Sequence, residues 1–579
     1  MKLETKTCQN CKNDFTIESE DFNFYEKIKV SPPTFCPECR MIRRMTWRNE
    51  RSLYKRSCNF CQKDIISMYD PDKSYIVYCH DCWWGDKWDP FDSRAEYDFS
   101  HTFFEQYCGL LKRAPLLGLS NLNSVNSEYA NFTDDNKGCY LVFGSGFNEN
   151  VRYTRMATWT KDSMDLLNVG KSELMYECIN CHESYGLKYS QNCKNCTNSF
   201  FLYNCRNCSE CFGCINLISK SYCIFNKQYT KKEYQEKILE INLSSWKNKE
   251  NVKLNQIKKL LSSNIYKYAN IIGSTNCTGD NIDSSKNSKI CFDIFRNCEN
   301  IKYIFAVAET KDAYDAIGQY RNDFSYENVD NDVGNSNKFT TTVYASNNIY
   351  YSWNCHGSSN LFGCYGLRKK NYCILNKQYT QEQYEKLVPK IIQHMNDMPY
   401  IDAKGRVYKY GEFFPSELSP FCYNETIAQE YFPLTKEKAL KQGYQWREKE
   451  TRNYQIDIRN EDILDNIKEV KEDIIDKVIE CEHQGKCNEQ CTEAFKIIEP
   501  ELQFYQRMNL PIPRLCPNCR HYQRLKQRNP LKLWHRTCMC DKENHLHGTS
   551  KCDVEFETSY APERPEIIYC ERCYQQEVY

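Results

Sequence analysis

The sequence predicts a mainly β protein, α+β overall, with a duplicated β-solenoid-like middle, a related cysteine-rich module at each end, and short capping helices. Three observations carry this prediction. Cys-x2-Cys pairs cluster at both ends of the chain, the middle repeats itself at an offset of 150 residues, and aromatic or β-branched clusters recur there about every 12 residues. Such regular alternation of strand and turn signals is typical of stacked repeats.

The composition describes a long chain with no overall charge. Its 579 residues are too many for one core and predict several domains. The 77 basic and 77 acidic side chains cancel, so attraction to nucleic acid or membrane would need a local patch. The sequence starts without the basic and apolar regions of a signal peptide, and no window is apolar enough to span a membrane. We therefore expect a soluble, cytoplasmic protein with no membrane partner.

The 36 cysteines fall largely in closely spaced pairs, which favour metal binding over disulfides. A register offset of 480 residues superimposes Cys11 on Cys491 and Cys36 on Cys516, and the ligand order survives an 11-residue insertion in the second copy. One duplication explains both ends. The candidate ligands are Cys8, Cys11, Cys36, Cys39, Cys58, Cys61, Cys79 and Cys82 in the first copy, and Cys487, Cys491, Cys516, Cys519, Cys538, Cys552, Cys570 and Cys573 in the second.

Two Cys-x2-Cys turns supply the four thiolates of a closed tetrahedral zinc site, so eight thiols predict two sites in each module. We expect about four structural zinc ions and two treble-clef or zinc-ribbon modules. The pattern leaves open whether the pairs combine sequentially or cross over, and whether the metal is an iron-sulfur cluster or the thiols are free or redox-active. Within the insertion, Cys540, His545 and His547 either form another site, replace a ligand or lie in an exposed loop.

A basic segment follows the second cysteine pair in both copies. Matching positions of positive charge favour phosphate binding, which makes RNA or the ribosome a candidate partner. The alternative is a solvated face, or a partner for acidic segments elsewhere in this neutral chain. The candidate nucleic-acid-binding residues are Arg40, Arg43, Arg44, Arg48, Arg520, Arg524, Lys526 and Arg528.

The two halves of the middle end on the same motif, Asn-Lys-Gln-Tyr-Thr, and each then shows a capping box. Thr230 with Glu233 and Thr380 with Gln383 predict helices that cap the repeats. Whether one coil takes one repeat or two stays open. Cysteines that crowd the first half are absent from most matching positions of the second, which favours interior packing over a further metal cluster.

A Thr-Lys-Asp-x-x-Asp motif occurs once in each half. It places Asp162 near Asp165 and Asp312 near Asp315. Carboxylate pairs on stacked strands can bind Ca²⁺ or act on polysaccharides, but aspartate is also a favoured turn residue. The sequence shows no nucleophile elbow, phosphate-binding loop or dinucleotide fingerprint.

These signals divide the chain into seven segments. The 401–448 segment is aromatic and rich in proline, and the apolar spacing after Glu461 predicts a linker helix up to about Glu480. The predicted segments are a cysteine module at 1–90, a helical linker at 91–118, solenoid repeats with capping helices at 119–260 and 270–400, a docking segment at 401–448, the linker helix at 449–480 and a second cysteine module at 481–579.

Several longer motifs carry a resemblance that covers nearly the whole chain. They are FCPECR, YCHDCWWGDKWDP, NLNSVNSEYANF, FGCINL with NKQYT, YGEFFP and LCPNCRHYQRLKQRNPLKLWHR. With them the chain resembles a family of long zinc-ribbon proteins of candidate-phylum bacteria, often labelled CaiB/BaiF family proteins. The resemblance implies a bacterial zinc protein, and no residue of the sequence points to CoA chemistry.

The sequence favours a zinc-binding, non-enzymatic scaffold. Its basic modules and aromatic solenoid surface would bind RNA, the ribosome or a protein partner. The competing interpretations are a β-solenoid enzyme, carbohydrate-active or CoA-dependent, and a purely structural spacer between two zinc modules.

Overall fold

The computed structural model describes residues 3–449, 454–548 and 551–578. The described chain is a mixed α/β protein whose larger sheets are parallel, with small antiparallel hairpins at both ends. Among the described helices, none combines the length and the apolar composition that crossing a membrane requires.

The N-terminal module, residues 3–90, is built from two hairpins, each followed by a helix that starts at a cysteine. Cys36 and Cys79 are the residues that precede those helices. The strands are Glu4–Thr7, Asp14–Ile17, Tyr54–Ser57, Asp64–Ser67 and Val77–Tyr78, and the helices are Ser19–Lys27, Pro37–Met45 and His80–Trp84.

The C-terminal module, from residue 481, repeats this order, and the strand before it supplies half of its first hairpin. Cys516 again precedes a helix that begins with proline. The strands are Ile479–Glu480, Ala494–Phe495, Trp534–Thr537, Glu555–Thr558 and Ile567–Tyr569, and the helices are Glu499–Met508, Pro517–Lys526 and Glu571–Val578.

The first half of the middle is a parallel ladder, here called the first ladder, in which each residue pairs with the residue 12 positions later. Arg155 pairs with Leu167, Leu167 with Ile179, and single bridges continue this register as far as Phe212 with Ile224. One structural repeat is therefore 12 residues. The strands are Leu116–Leu117, Asn121–Leu122, Asn131–Asp134, Tyr140–Gly146, Glu149–Met164, Leu167–Glu173, Ile179–His182, Cys223–Ile224 and Lys227–Gln228.

The backbone of this ladder turns at nearly every third residue. From Asn150 to Asn180, every third residue has a φ of about +45° to +58°. Asparagine and aspartate tolerate this left-handed conformation better than most residues, which explains their abundance between the strands. Cys178 and Cys181 each follow such a turn, and both are fully buried in the narrow interior. Each thiol donates a hydrogen bond to the backbone carbonyl two residues earlier.

The second half forms an equivalent parallel ladder, the second ladder, with a pairing interval of 11 to 13 residues. Val329 pairs with Thr341, and Thr341 with Trp353. The strands are Ile265–Lys267, Ile271–Ile272, Gly279–Asp283, Lys286–Lys289, Cys291–Phe295, Glu299–Lys302, Phe305–Ala308, Lys311–Asn335, Thr341–Tyr344, Asn347–Tyr350, Trp353–His356, Ser359–Phe362, Asn371–Ile374 and Lys377–Gln378.

The two ladders contact each other in opposite directions. The amide of Asn168 lies 3.4 Å from Asp293, and the amide of Asn180 lies 3.3 Å from Asn281. Residue numbers therefore increase along one ladder in the direction in which they decrease along the other. An approximate two-fold arrangement follows.

Helices pack at the end of each ladder, beyond the capping boxes. The hydroxyl of Thr230 accepts from the backbone of Glu233, and Thr380 caps its helix in the same way through Gln383. Tyr234 of the first helix packs with Phe212 and Ile224 of the last ladder steps. The helices here are Phe103–Arg113 before the first ladder, Lys231–Ile241, Trp246–Asn251 and Lys258–Ser262 after it, with a π-helical turn at Val252–Ile257, and Gln381–Asp397 after the second.

The predicted linker helix at 449–480 is wrong over its described part. Residues 454–480 form three separate 3-10 turns, at Asn460–Asp462, Ile467–Glu469 and Glu472–Ile474. Ile467 and Ile474 insert into the apolar cluster of the C-terminal module. Burial of each isoleucine in its own turn stabilises these turns more than the helical spacing of the isoleucines favours one helix.

The segment before it, residues 400–441, holds strands Tyr400–Ile401 and Val407–Tyr408, short turns at Ser416–Leu418 and Tyr423–Glu425, and helices Ile427–Tyr431 and Lys436–Lys441.

The N-terminal module docks on the second ladder through a buried ion-pair cluster. The Nε of Arg40 donates to Asp315 at 3.0 Å, and Nη1 of Arg44 donates to the same carboxylate at 2.9 Å. Arg44 also donates to the carbonyl of Tyr303 at 3.4 Å. Arg43 binds Glu327 at 2.5 Å beside them.

The C-terminal module docks on the first ladder with equivalent residues. Arg524 donates to Asp165 at 2.8 Å and to the carbonyl of Tyr153 at 3.3 Å, and Arg520 lies 3.4 Å from the same carboxylate. Arg520 and Arg524 stand 480 residues after Arg40 and Arg44, and Asp165 stands 150 before Asp315. The docking is therefore duplicated and crossed, because each module binds the ladder farther from it in sequence.

A second contact joins each module to the short strand that precedes the ladder nearer in sequence. Strand Val77–Tyr78 pairs in parallel with Leu116–Leu117, and Ile567–Tyr569 pairs in parallel with Ile265–Lys267. The amide of Asn131 in the first ladder donates to the carbonyl of Asn49 at 3.0 Å, and the amide of Asn529 donates to Asp280 of the second ladder at 3.1 Å. Each module therefore contacts both ladders.

We expect Asp315→Asn to destabilise the protein by about 3 kcal/mol, because it leaves buried Arg40 without a counter-charge and Arg44 with only Glu327, 3.9 Å away. Asp312→Asn is the matched control: that carboxylate is 37% exposed and lies 3.7 Å from Lys27, so its loss should cost under about 1 kcal/mol. Urea unfolding of both variants checks this, and equal midpoints would contradict it.

Candidate metal centres

Among the described residues, the two terminal modules bring together four groups of four cysteines, and the sulfur atoms of each group lie within 4.8 Å of one another. Each combines one pair from a hairpin turn with one pair at a helix start, so the pairs combine sequentially and not across. The groups are Cys8, Cys11, Cys36 and Cys39; Cys58, Cys61, Cys79 and Cys82; Cys481, Cys491, Cys516 and Cys519; and Cys538, Cys552, Cys570 and Cys573.

All four groups share one local geometry. The backbone N–H of the cysteine that begins the helix donates to the sulfur of the first cysteine in the hairpin. This distance is 3.2 Å for Cys36 to Cys8 and 3.1 Å for Cys570 to Cys538, and the other two groups have the same bond at 3.2 Å. A donor at a helix N-terminus stabilises a thiolate at this position.

The sulfur spacing fits a tetrahedral metal ion. Four sulfurs bound at about 2.3 Å lie roughly 3.8 Å apart in a tetrahedron. Neighbouring sulfurs are 3.7 Å apart for Cys11 and Cys36, 3.8 Å for Cys61 and Cys79, and 3.9 Å for Cys552 and Cys570. All these cysteines are free thiols, so the donor set suits Zn²⁺.

The prediction of Cys487 as the partner of Cys491 needs correction, because Cys481 takes the equivalent place. Cys481 receives the bond from the Cys516 N–H, as Cys8 does from Cys36. Its backbone N–H donates to the carbonyl of Glu493, as the N–H of Cys8 donates to the carbonyl of Asn13, and these two acceptors are 480 residues apart.

Cys487 lies at the edge of this group, 3.7 Å from Cys519. The hairpin turn between Cys481 and Cys491 contains nine residues, whereas the turn between Cys8 and Cys11 contains two. Because Cys487 stands closer to Cys491 in the sequence, the spacing pointed to Cys487 as its partner. The sequence carries no signal for this longer turn, and the hydrogen bonds of Cys481 identify it as the counterpart of Cys8.

The thiols in each group divide the charge unequally. Hydrogen bonds from Cys36 and Cys39 hold the pKa of Cys8 well below its usual range. A hydrogen bond from Cys481 leads the effects that lower the pKa of Cys491 to about 6, whereas burial raises the pKa of Cys538 to about 11. Some protons therefore leave readily, and a bound dication would displace the others.

The predicted nucleic-acid residues require a correction. Arg40, Arg43, Arg44 and Arg48 are almost fully buried, as are Arg520 and Arg524, and the side chain of Arg528 is 5% exposed. Their partners are internal carboxylates, which is the alternative that the neutral composition left open. Lys526 has an exposed side chain and pairs with Glu489.

Arg48 and Arg528 complete the contact between modules and ladders. Arg48 donates to Glu50 at 2.6 Å, and Arg155 of the first ladder donates to the same carboxylate at 2.6 Å. Burial raises the pKa of Glu50, but these two guanidinium groups outweigh it and lower that pKa to about 2. Arg528 binds Asp293 of the second ladder at 2.5 Å.

The four motif carboxylates also have internal partners. Asp165 and Asp315 bind the module arginines, while Asp162 and Asp312 each accept from the asparagine 12 residues earlier at 3.0 Å. The motif thus carries one ladder-stacking residue and one docking residue.

Neither a scan against protein-family models nor a search of curated proteins gives a match to this chain.

We expect Cys481→Ser to remove one zinc ion per chain, because it takes one of the four ligands of the third group. Cys487→Ser should leave the zinc content unchanged, since Cys481, Cys491, Cys516 and Cys519 already supply four ligands without that thiol. Elemental analysis of both purified variants checks the assignment, and the reverse pattern would restore Cys487 as the ligand.

Proposed function

We propose that this chain is a zinc-stabilised, non-enzymatic scaffold. In this proposal each ladder is a β-solenoid with one coil per 12 residues, and the two terminal treble-clef modules hold the solenoids together. The observation that carries it is the crossed docking: the positive side chains of both modules bind carboxylates of the ladders.

Zinc has a mechanical role in this proposal. Cys36 and Cys39 begin the helix that carries Arg40 and Arg44, so the metal site and the docking residues lie within three turns of one helix. Cys516 and Arg524 have the same relation. A bound ion fixes the start of each helix and thereby directs its guanidinium groups toward the ladder.

The crossed docking predicts where the loss of one metal site acts. Cys36→Ser should raise hydrogen exchange in the second ladder, around residues 303–327, because that ladder loses its docked helix. Cys516→Ser should raise exchange around residues 153–177 of the first ladder. Mass spectrometry of peptides from both variants measures this.

Each variant serves as the matched control for the other. If each one loosened only the ladder nearest to it in sequence, or both ladders equally, the crossed scaffold would be wrong.

A second candidate function, binding of single-stranded RNA, is supported by one surface feature. Phe147 and Trp159 are 46% and 43% exposed, and their rings stack at 5.0 Å and 8°. The guanidinium of Arg296 lies 4.4 Å over the Trp159 ring, and exposed Lys171 follows Trp159 by one repeat. Stacked rings beside positive charge are the platform on which nucleic-acid bases stack.

Trp159→Ala should weaken binding of a single-stranded RNA oligonucleotide by about 5-fold to 100-fold, because one stacked base is worth about 1–3 kcal/mol. Tyr185→Ala is the control, since Tyr185 is a comparably exposed ring of the same ladder. Fluorescence anisotropy at two salt concentrations measures affinity and its charge dependence. Equal affinity of the Trp159 variant and the unaltered chain would reject this surface.

A further inference from the structure

A fifth group of ligand atoms lies beside the fourth cysteine group, in the insertion that the N-terminal module lacks. Atoms of Cys540, His545, His547 and Cys573 all lie within 4.8 Å of one another. The sulfur of Cys540 is 3.2 Å from Nδ1 of His545 and 3.4 Å from Nε2 of His547. Two thiols and two imidazoles are a donor set that Zn²⁺ accepts.

Residues of the terminal helix that are not themselves ligands orient His545 and its loop. The second ring nitrogen of His545, Nε2, lies 2.9 Å from Glu577. A carboxylate on the far nitrogen fixes the ring and its tautomer and increases its basicity toward a metal. The backbone N–H of Leu546 donates to Gln576 at 3.0 Å, so the terminal helix holds the loop between the two histidines.

Burial supports a role for these donors in the interior. Cys540 is fully buried and Cys573 is 2% exposed, while only 7% of the His545 side chain is exposed. Cys540 is the first residue of the 11-residue insertion, so the N-terminal module has no counterpart for it. The C-terminal module has thus gained a buried thiol in a segment that its copy lacks.

Cys573 belongs to both the fourth and the fifth group. A thiolate retains lone pairs after it binds one metal ion and can bridge to a second. Five thiolates around two dications leave a net charge of −1 on the pair, less than the −2 of a single site with four thiolates. A shared sulfur therefore lowers the charge that the module must bury for each ion.

We infer that the C-terminal module holds two zinc ions joined by the thiolate of Cys573, the second being bound by Cys540, His545 and His547. On binding, the thiol of Cys540 releases its proton to solvent and the imidazoles bind in their neutral forms. This site goes beyond the four cysteine sites of the proposed function, although it shares Cys573 with one of them.

Elemental analysis of the full chain should give five zinc ions, one for each of the four cysteine groups and one for the group with His545 and His547. Cys540→Ser should remove one ion and leave the hydrogen exchange of the fourth group unchanged. Cys573→Ser should remove two ions, whereas the equivalent Cys82→Ser should remove one, because the N-terminal module lacks the insertion that carries Cys540, His545 and His547.

Cadmium NMR of the exchanged protein provides a readout independent of counting. Two cadmium resonances coupled to each other through the Cys573 sulfur are expected, and the coupling should disappear in Cys540→Ser. Four ions and no coupled pair would overturn the bridged site while the scaffold proposal stands. Fewer than four ions, with cysteine groups lost elsewhere, would count against the scaffold proposal itself.

Discussion

The rest of the structure depends on the buried ion pairs between the module arginines and Asp165 and Asp315. A buried guanidinium is costly unless its counter-charge is correctly placed, and removal of one partner is strongly destabilising. Arg44 and Asp315 are both fully excluded from solvent, so the two elements that carry them must dock in one register. The ion pairs therefore select one arrangement of modules and ladders, and the surrounding aromatic contacts, such as Phe24 stacked on Tyr314 at 3.9 Å, add apolar stabilisation.

This requirement gives the metal groups their place in the fold. The helix that carries the arginines is nine residues long in one module and ten in the other, and its buried face holds arginines as well as apolar residues, so its direction needs a constraint beyond apolar packing. A tetrahedral ion at the start of the helix supplies that constraint, because its ligands include the residue before the helix and a residue in the first turn. The arginines follow within the next two turns, so an error in metal geometry would be transmitted directly to the buried pairs.

Local patterns in the sequence predicted the cysteine pairs, both duplications and the 12-residue interval, because each depends on residues close together in the chain. Long-range packing decided the rest. Cys481 was missed because its loop is longer than the usual turn, and only its hairpin bonds identify it as the counterpart of Cys8. The arginines were predicted as a surface, since the sequence does not show that Asp315 lies 275 positions away from Arg40 in the chain and beside it in space. The isoleucines after Glu461 have helical spacing, but each is buried by a different turn.

Because the structure has approximate two-fold symmetry, a feature that builds the fold is expected in both halves, whereas a feature found in one half alone is not required by the fold. The docking ion pairs, the capping boxes and the short parallel strand pairs of the modules occur in both halves. Their role in holding the modules and ladders together is enough to explain them. The aromatic stack and the histidine-containing loop are not repeated. The positions that match Phe147 and Trp159 in the second ladder are Asn297 and Glu309, and the insertion that carries Cys540, His545 and His547 is absent from the N-terminal module. A chain that needed only to hold itself together would have no use for differences between its copies, so the aromatic stack and the histidine-containing loop are where an activity specific to this protein is to be sought.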